Sequence, residues 1–332
     1  MTDLEFTAYD LPIRPRRNRK TAAMRALVRE TDLTPDRLIY PLFLIEGKDR
    51  EEPVSSMPGV SRRSMDLLVQ EADAAHRLGV PAVALFPALS DELKDSVATE
   101  SLNEDGLLQR TVRELKDRCP DLLVITDVAM DPYSSDGHDG YVKDGQILND
   151  PTLDILAEMA VAQAQAGADI VAPSDMMDGR VGVLREALDD EGFEDVGILA
   201  YSAKYASSFY GPFREALDSE PRAGDKKTYQ MDPANVREAI REVRLDVEEG
   251  ADIVMVKPGL PYLDVVRQVR DAVDVPVAAY QVSGEYAMIQ AVAQNGWMDG
   301  DRLMLETLTS FRRAGCDMIL TYFAHRAAQL FG

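Results

Sequence analysis

A short motif recurs three times in this chain and constrains its fold more than any other feature. Residues 167–171 read Gly-Ala-Asp-Ile-Val, residues 250–254 repeat these letters, and residues 315–319 read Gly-Cys-Asp-Met-Ile. Each copy follows a helical hydrophobic pattern and opens a short apolar run. Glycine supplies the left-handed conformation that ends a helix, and the branched residues after it suit a strand buried on both faces. The motif therefore predicts helix-to-strand joints in a parallel α/β fold.

Strand candidates extend outward from these joints, and each is followed by a helical pattern. They are Leu38–Leu44, Ala82–Phe86, Leu122–Asp127, Ile170–Pro173, Ile198–Ser202, Ile253–Lys257, Val277–Gln281 and Met318–Tyr322. Helices with apolar residues at three- and four-residue spacing are predicted over Asp154–Gln165, Pro233–Glu248, Tyr262–Val273 and Asp301–Arg313. Eight alternating units predict a closed (β/α)8 TIM barrel, and a doubly wound open sheet is the competing fold.

The segment before the first strand carries a basic stretch, Arg14–Lys20, and a short helical pattern, Thr21–Glu30. It has too few apolar residues to form a core of its own. We expect residues 1–33 to be an N-terminal oligomerisation arm and residues 34–332 to be the catalytic barrel. Its composition is equally compatible with a loosely tethered tail.

The charge balance and the cysteine content exclude several functional classes. A net charge of −22 would repel a phosphate backbone, so nucleic acid and anionic membranes are not expected partners. The two cysteines, Cys119 and Cys316, form no C-x-x-C pair and no framework of the kind found in small secreted domains. The N-terminus lacks the apolar core of a signal peptide, and no apolar run approaches the length of a membrane span. We expect a cytoplasmic protein that acts on a small molecule.

Active-site groups in such a barrel project from the C-terminal ends of the strands. The polar residues at the predicted strand ends are Asp127, Ser174, Asp175, Lys204, Lys257, Ser283 and Tyr322.

Two of these residues are lysines that follow neighbouring apolar strands, Lys204 and Lys257. Two cations held together in a poorly solvated pocket lower each other's pKa, and a neutral amine can attack a ketone. The pair therefore indicates Schiff-base chemistry. The alternative is that each lysine reaches solvent or pairs with a carboxylate.

Two polar segments lie close to these strand ends in the sequence. The turn-rich segment Asp127–Gly140 contains aspartates and a histidine but no thiolate, so it suits Mg²⁺ better than a cysteine-type zinc site, unless its Asp and Gly residues simply form turns. Residues 211–214 and 224–230 flank a Gly/Pro-punctuated stretch typical of a lid that brings cations toward a carboxylate substrate. Solvated loop charges are the alternative interpretation of the second segment.

Several longer motifs resemble one known family. They are Arg14-Pro-Arg-Arg17, Pro41-Leu-Phe43, Ser56-Met-Pro-Gly59, Asp127–Gly140, Ala172–Arg180, Tyr201–Arg214, Val254-Met-Val-Lys-Pro258 and Tyr280-Gln-Val-Ser-Gly-Glu-Tyr286. Together they resemble the porphobilinogen synthases, or 5-aminolevulinate dehydratases, from about Arg14 to the C-terminus. The resemblance implies a (β/α)8 enzyme that condenses two 5-aminolevulinate molecules to porphobilinogen with loss of two waters, early in tetrapyrrole synthesis.

The resemblance also implies roles for individual residues. Lys257 matches the lysine that binds the substrate whose carboxylate becomes the propionate side chain, and Lys204 matches the lysine that holds the second substrate. The residues similar to the family's carboxylate-binding groups are Ser283 and Tyr322 for one substrate and Arg214, Lys226 and Gln230 for the other. Many relatives carry arginine at position 226, and lysine keeps the charge but loses the bidentate fork.

The metal dependence implied by the resemblance is of the magnesium type. Zinc-dependent members carry three cysteines where this chain has Ala129, Asp131 and Asp139, so no zinc is expected. In the magnesium-type enzymes the loop aspartates, here Asp127, Asp131 and Asp139, lie near the second substrate, and Ser174 is also expected to contact substrate. Glu242 matches the ligand of an allosteric Mg²⁺ at the interface of a homo-octamer, and Asp178 is linked to it through water. The sequence leaves open whether a metal occupies the aspartate loop and which group is the general base.

Two other functions are compatible with a barrel of this kind. A class I aldolase-like enzyme would use one Schiff-base lysine and phosphate-binding glycines after the last strands, where only Ser283-Gly284 is found. An inactive barrel kept for assembly would have no need for both lysines.

Overall fold

The structure is a computed structural model that describes residues 9–217 and 221–331. Contacts divide the chain between Asp32 and Leu33, one residue from the predicted boundary. Residues 1–8 of the predicted arm and residues 218–220 of the predicted lid lie outside the described residues. In the arm, a 3-10 turn at Pro15–Arg19 precedes α1 (Ala22–Leu27), which is shorter than the predicted Thr21–Glu30.

The unit that begins at Leu33 contains a closed ring of parallel strands. Its strands are β1 (Leu38–Ile45), β4 (Ala82–Pro87), β5 (Leu123–Val128), β8 (Ile170–Pro173), β9 (Gly197–Lys204), β10 (Ile253–Lys257), β11 (Val277–Gln281) and β12 (Met318–Thr321). Each pairs with the next in this order, and β12 pairs with β1 at Leu38↔Ile319 and Ile39↔Leu320. This closure confirms the (β/α)8 barrel and rules out the open sheet.

Four short strands lie outside the ring of eight in the described residues. β2 (Glu51–Pro53) pairs with β3 (Ser61–Ser64), which extends the sheet from the end of β1. A separate hairpin is formed by β6 (Val142–Lys143) and β7 (Gln146–Ile147).

Helices connect the strands as the apolar periodicity predicts. They are α2 (Met65–Arg77), α3 (Leu107–Arg118), α4 (Asn149–Gln165), α5 (Arg180–Asp190), α6 (Gly211–Leu217), α7 (Arg237–Glu248), α8 (Leu263–Ala272), α9 (Ser283–Gln294), α10 (Gly300–Ala314) and α11 (Ala324–Phe331). None of the described helices has both the length and the apolar character that a membrane crossing requires.

The repeated glycines lie at helix-to-strand joints, as the motif predicts. Gly167, Gly250 and Gly315 have φ angles of 102°, 106° and 119°, in the left-handed region that favours glycine. Each is followed by a barrel strand. The joints therefore fix where each strand begins, and with it which residues reach the far end of the barrel.

The barrel strands are buried on both faces. All eight residues of β1 are buried, and Phe43 and Phe86 place their ring centroids 6.2 Å apart inside the barrel. β9 departs furthest from its prediction, since it continues to Lys204 rather than ending at Ser202, whereas β1, β4 and β12 differ from theirs by a single residue at one end and β5 by a single residue at each end. Lys204 is therefore held by the sheet and not by the loop after it.

Candidate active site

Lys204 and Lys257 close neighbouring strands, β9 and β10, and lie in register with each other. Adjacent strands are about 4.8 Å apart, so the two side chains start from neighbouring positions on the barrel rim. Each residue is only 6% exposed. The fold thus places two amines in one poorly solvated space, as the strand-end argument predicts.

Lys204 is bound by polar partners. Its Nζ lies 3.0 Å from Asp139 Oδ2 and also donates to the backbone carbonyl of Ser174. Burial by itself would raise the pKa of Asp139, but the ammonium groups of Lys204 and Lys226 outweigh it and hold that pKa well below its usual range. Lys204 therefore faces a carboxylate that stays ionised.

Lys226 reaches the same carboxylate from the predicted lid. Its Nζ lies 2.6 Å from Asp139 Oδ1 and 3.2 Å from Asp131 Oδ2. Burial opposes the charged form, yet these two carboxylates raise the pKa of Lys226 to about 12. Two lysines and two aspartates thus form one buried charge network between the lid and the loop after β5.

Lys257 has a different environment. Its Nζ lies 4.9 Å from the ring centroids of Tyr201 and Tyr280, 5.2 Å from that of Phe213 and 5.3 Å from that of Tyr210. Within residues 9–217 and 221–331, no carboxylate forms an ion pair with it. Burial, and secondarily the charge of Lys204, lowers its pKa to about 7. A substantial fraction of this lysine is therefore a neutral amine at neutral pH.

Asp127, near the end of β5, is the buried acid of this site best suited to accept a proton. It is 8% exposed, and its Oδ1 has no hydrogen-bond partner. Burial and the neighbouring charge of Asp131 raise its pKa to about 7, against the opposing influence of Lys257 and Lys204. Its carboxyl group can therefore take up or release a proton near neutral pH.

Ser283 follows β11, the strand beside β10, and Tyr322 follows β12. The Ser283 Oγ accepts the Phe213 N–H at 3.0 Å and lies 3.3 Å from the Phe209 carbonyl oxygen, to which it donates. The Tyr322 hydroxyl lies 2.9 Å from that of Tyr280. Ser283 thus contacts the segment that follows Lys204.

The predicted lid residues do not all meet. Lys226 enters the charge network, and Gln230, four residues later, is 5% exposed and donates its backbone N–H to the Lys226 carbonyl at 2.9 Å. Arg214 is half-buried on α6, and no ion pair of its guanidinium is found in the described part of the chain. The Met231 N–H donates to the Lys204 carbonyl at 3.0 Å, which attaches the end of the lid to β9.

Glu242 and Asp178 line a separate cavity of about 290 Å³, together with Asn149, Thr228 and Glu238. Burial and the nearby carboxylates, led by Asp246, raise the pKa of Glu242. A cation placed there would relieve this repulsion. Across the described residues no cluster of three His, Cys, Asp or Glu side chains could enclose a metal, and a magnesium ion that keeps several waters needs fewer protein ligands.

Sequence reasoning missed two features of the site. One is the aromatic group around Lys257, although its members stand in the quoted motifs at strand ends and in the lid. The other is Glu285, a buried carboxylate that accepts the N–H groups of Leu260 at 2.6 Å and Val282 at 2.7 Å. Burial raises the pKa of Glu285 to about 8. Glu285 joins the loop after Lys257 to the start of the helix that carries Ser283.

Comparisons with known proteins agree with this arrangement. Residues 12–330 match the family described as delta-aminolevulinic acid dehydratase. The Bradyrhizobium diazoefficiens protein of that name is 57% identical over 97% of this chain and 92% of its own length, and the chloroplastic one of Glycine max is 59% identical over 95% and 77%. The crystal structure of the Toxoplasma gondii enzyme with porphobilinogen superposes with a TM-score of 0.95 and 55% identity, covering 97% of this chain and 92% of that one. The chain belongs to the delta-aminolevulinic acid dehydratase family.

Proposed function

We propose that this chain is a porphobilinogen synthase that condenses two molecules of 5-aminolevulinate, releasing two waters, in tetrapyrrole biosynthesis. The observation that carries the proposal is the in-register pair of buried lysines, Lys204 and Lys257. Relatives whose names and ligand describe this reaction support the choice of substrate. An aldolase-like enzyme would use one such lysine, and an inactive barrel would use neither.

The two lysines enter the reaction in different charge states. Lys257 can attack the ketone of one substrate as a neutral amine and form an iminium with release of water. Lys204 binds the second substrate after its ammonium gives up a proton, which requires its contact with Asp139 to loosen. Carbon–carbon and carbon–nitrogen bond formation between the two bound molecules then closes the pyrrole ring.

We assign proton acceptance to Asp127. Its unpartnered oxygen and its pKa of about 7 allow it to take a proton from the carbon next to an iminium, which produces the enamine. Asp131 and Asp139 are committed to Lys204 and Lys226, so Asp127 is the aspartate of the three that remains available for this step.

The substrate carboxylates are assigned to two groups of residues. Ser283 and Tyr322 bind the carboxylate of the molecule on Lys257, because both hydroxyls lie at the barrel mouth beside its aromatic surroundings. Arg214, Lys226 and Gln230 bind the other, an assignment supported by the family resemblance and by the Asp139 carboxylate that Lys226 shares with Lys204. Ser174 contributes through the carbonyl that holds Lys204.

Magnesium is assigned to the cavity of Glu242 and Asp178. The carboxylates of Asp178, Glu238 and Glu242 in its lining and the raised pKa of Glu242 fit a hard cation. Bound there, Mg²⁺ would neutralise the crowded carboxylates and stabilise the surrounding packing. The aspartate loop contains no thiolate, so zinc is not part of the proposal, and Lys204 and Lys226 already balance the charge of Asp131 and Asp139.

We also propose that the chain assembles into a homo-octamer in the cytoplasm through the arm of residues 1–33. Between residues 9 and 32 no side chain is buried, and Ile13 and Leu27 are each 80% exposed. Exposed apolar side chains of this kind favour a protein surface as their partner. Light scattering of the full chain and of a chain lacking residues 1–33 tests this assignment, which predicts loss of the octamer on truncation.

The proposed activity is tested by borohydride reduction in the presence of 5-aminolevulinate, followed by peptide mass mapping. We expect a reduced adduct on Lys257 and colorimetric formation of porphobilinogen. Lys143, which is exposed on β6, is the control lysine, and its peptide should stay unmodified. A protein that binds no substrate at Lys257 would contradict the proposal.

The magnesium assignment is tested separately by adding EDTA to the same assay and by comparing Glu242→Gln with Glu186→Gln, a carboxylate on α5 outside the cavity lining. We expect EDTA to lower both the activity and the midpoint of thermal unfolding of the unsubstituted protein. With Mg²⁺ present, Glu242→Gln should lower both quantities and Glu186→Gln should change neither. Activity unchanged by EDTA would remove magnesium and leave the lysine chemistry standing.

A further inference from the structure

The aromatic rings around Lys257 come from two kinds of structure. Tyr201 on β9 and Tyr280 on β11 belong to the barrel wall, whereas Tyr210 and Phe213 belong to the segment after β9. All four ring centroids lie 4.9 to 5.3 Å from the Lys257 Nζ. We call these four rings the lysine cage. The wall supplies half of the cage, and the segment that covers the mouth supplies the rest.

A cage of rings favours one kind of cation over another. Aromatic faces attract a cation within about 6 Å of the ring centroid, and the attraction is larger where water is excluded. An ammonium group needs hydrogen-bond acceptors for its three N–H groups, and the cage offers aromatic faces instead. An iminium has one N–H and spreads its charge over carbon, so it loses less hydration in the same place. The lysine cage therefore suits the iminium better than the ammonium.

Phe213 is one of the two cage members supplied by the covering segment, and it is the one that lies on α6. Its N–H donates to Ser283 Oγ at 3.0 Å, and its ring lies 5.6 Å from Phe43 and 5.5 Å from Phe86, measured between centroids. Docking of α6 on Ser283 thus brings the ring over Lys257. The same docking places a backbone donor beside a residue assigned to the substrate carboxylate.

We propose that Phe213 is a further catalytic residue, whose ring completes the lysine cage and stabilises the iminium formed on Lys257 when α6 docks. The proposal rests on the proposed function. In the step concerned, Nζ of the neutral amine bonds to the ketone carbon and the carbon–oxygen bond breaks. The oxygen leaves as water, one proton is taken up from solution, and the positive charge stays on the carbon–nitrogen double bond.

The test replaces Phe213 by phenylalanines with one, two and three ring fluorines, which weaken the attraction for a cation while nearly keeping the shape. The probe is 4-oxopentanoate, which has the ketone and carboxylate of the substrate but no amino group, so the reaction stops at the iminium. Borohydride trapping and mapping of the Lys257 peptide give the iminium dissociation constant. We expect it to weaken steadily with each fluorine, by about threefold to thirtyfold over the series.

The same series at Phe86 is the matched control. Phe86 touches the Phe213 ring but is not a cage member, so its fluorination should leave the constant unchanged. Phe213→Tyr keeps an electron-rich face and should retain iminium formation, whereas Phe213→Leu should lose it, with thermal unfolding checked for both. An iminium constant that stays flat across the Phe213 series overturns the cage proposal alone, while absence of any Lys257 adduct in the unsubstituted protein overturns the proposed function instead.

Discussion

Lys204 and Lys257 are equally buried and lie side by side on adjacent strands, yet their surroundings differ in kind. Lys204 faces the ionised carboxylate of Asp139 and a backbone carbonyl, and Lys257 faces aromatic rings. Equal burial therefore does not give equal chemistry. The partner at the end of each side chain decides whether a buried lysine is held as an ammonium or released as a neutral amine.

The largest expected effect comes from removing each amine in turn. Lys257→Met and Lys204→Met should each lower kcat/KM for porphobilinogen formation by on the order of 10⁴-fold, because each removes a nucleophile. They should differ in trapping with 4-oxopentanoate, since Lys204→Met keeps the amine of Lys257. Mass mapping of the Lys257 peptide after borohydride reduction measures the trapped adduct in each variant.

The exposed lysine variant Lys143→Met should behave like the unsubstituted protein in both assays. If Lys204→Met lost trapping at Lys257 while its thermal unfolding stayed normal, the two lysines would not be chemically separate and the comparison would fail.

Removing the carboxylate beside Lys204 should make the two environments more alike. Asp139→Asn removes the carboxylate that pairs with Lys204 and Lys226, so the Lys204 Nζ should be freed from its ion pair and should form more trapped adduct with 4-oxopentanoate. Because the buried charge network is broken, kcat/KM should fall by about 10²- to 10³-fold. Adduct yield on the Lys204 peptide at one fixed pH measures the change.

Asp136→Asn is the matched change in the same loop, because no ion pair of Asp136 occurs among the described residues. It should leave the adduct yield on the Lys204 peptide unchanged. An equal rise in yield in both variants would mean that the loop, and not the Asp139 carboxylate, controls Lys204.

The lid lysine should affect substrate binding more than turnover. Lys226→Met should raise KM by about tenfold to a hundredfold, because it removes the cation assigned to the second substrate's carboxylate and leaves Asp131 and Asp139 without a buried partner. Its neighbour Lys227 is exposed and pairs only with Asp225 among the described residues, so Lys227→Met should change KM little. Steady-state kinetics give the KM of both variants. An equal increase in KM would mean that the lid acts through its overall positive charge and not through Lys226 in particular.

The smallest effect is the pH dependence of Lys257 itself. Its pKa is lowered to about 7, so the ammonium loses its proton as the pH rises through that value and the neutral amine then predominates. Trapping on Lys257 should increase about tenfold between about pH 6 and pH 8 and then level off, whereas an ordinary lysine continues to rise toward pH 10. If the adduct yield on Lys257 kept rising toward pH 10 as for an ordinary lysine, the lowered pKa of Lys257 would be wrong.

Local patterns were enough to predict the barrel and most of its strand ends. A glycine that ends a helix and a run of branched apolar residues act through their own backbone and their sequence neighbours. Their structural effect can therefore be predicted without knowing the tertiary structure. For this reason the bounds of β8, β10 and β11 are as predicted, those of β1, β4 and β12 differ by one residue at one end, and those of β5 differ by one residue at each end. β9 begins one residue earlier and ends two residues later than predicted, at Lys204. The family motifs then indicated the substrate, which the physical pattern alone did not.

The sequence by itself thus determined that two lysines end adjacent strands of a closed barrel and that an aspartate-rich loop follows β5. Only the tertiary structure decided which lysine meets a carboxylate and which meets the lysine cage. The reason is distance along the chain: Asp139 reaches Lys204 across 65 positions, and Tyr280 and Phe213 reach Lys257 from β11 and α6. Such contacts form when the ring of strands closes and the covering segment docks, and no local propensity encodes them.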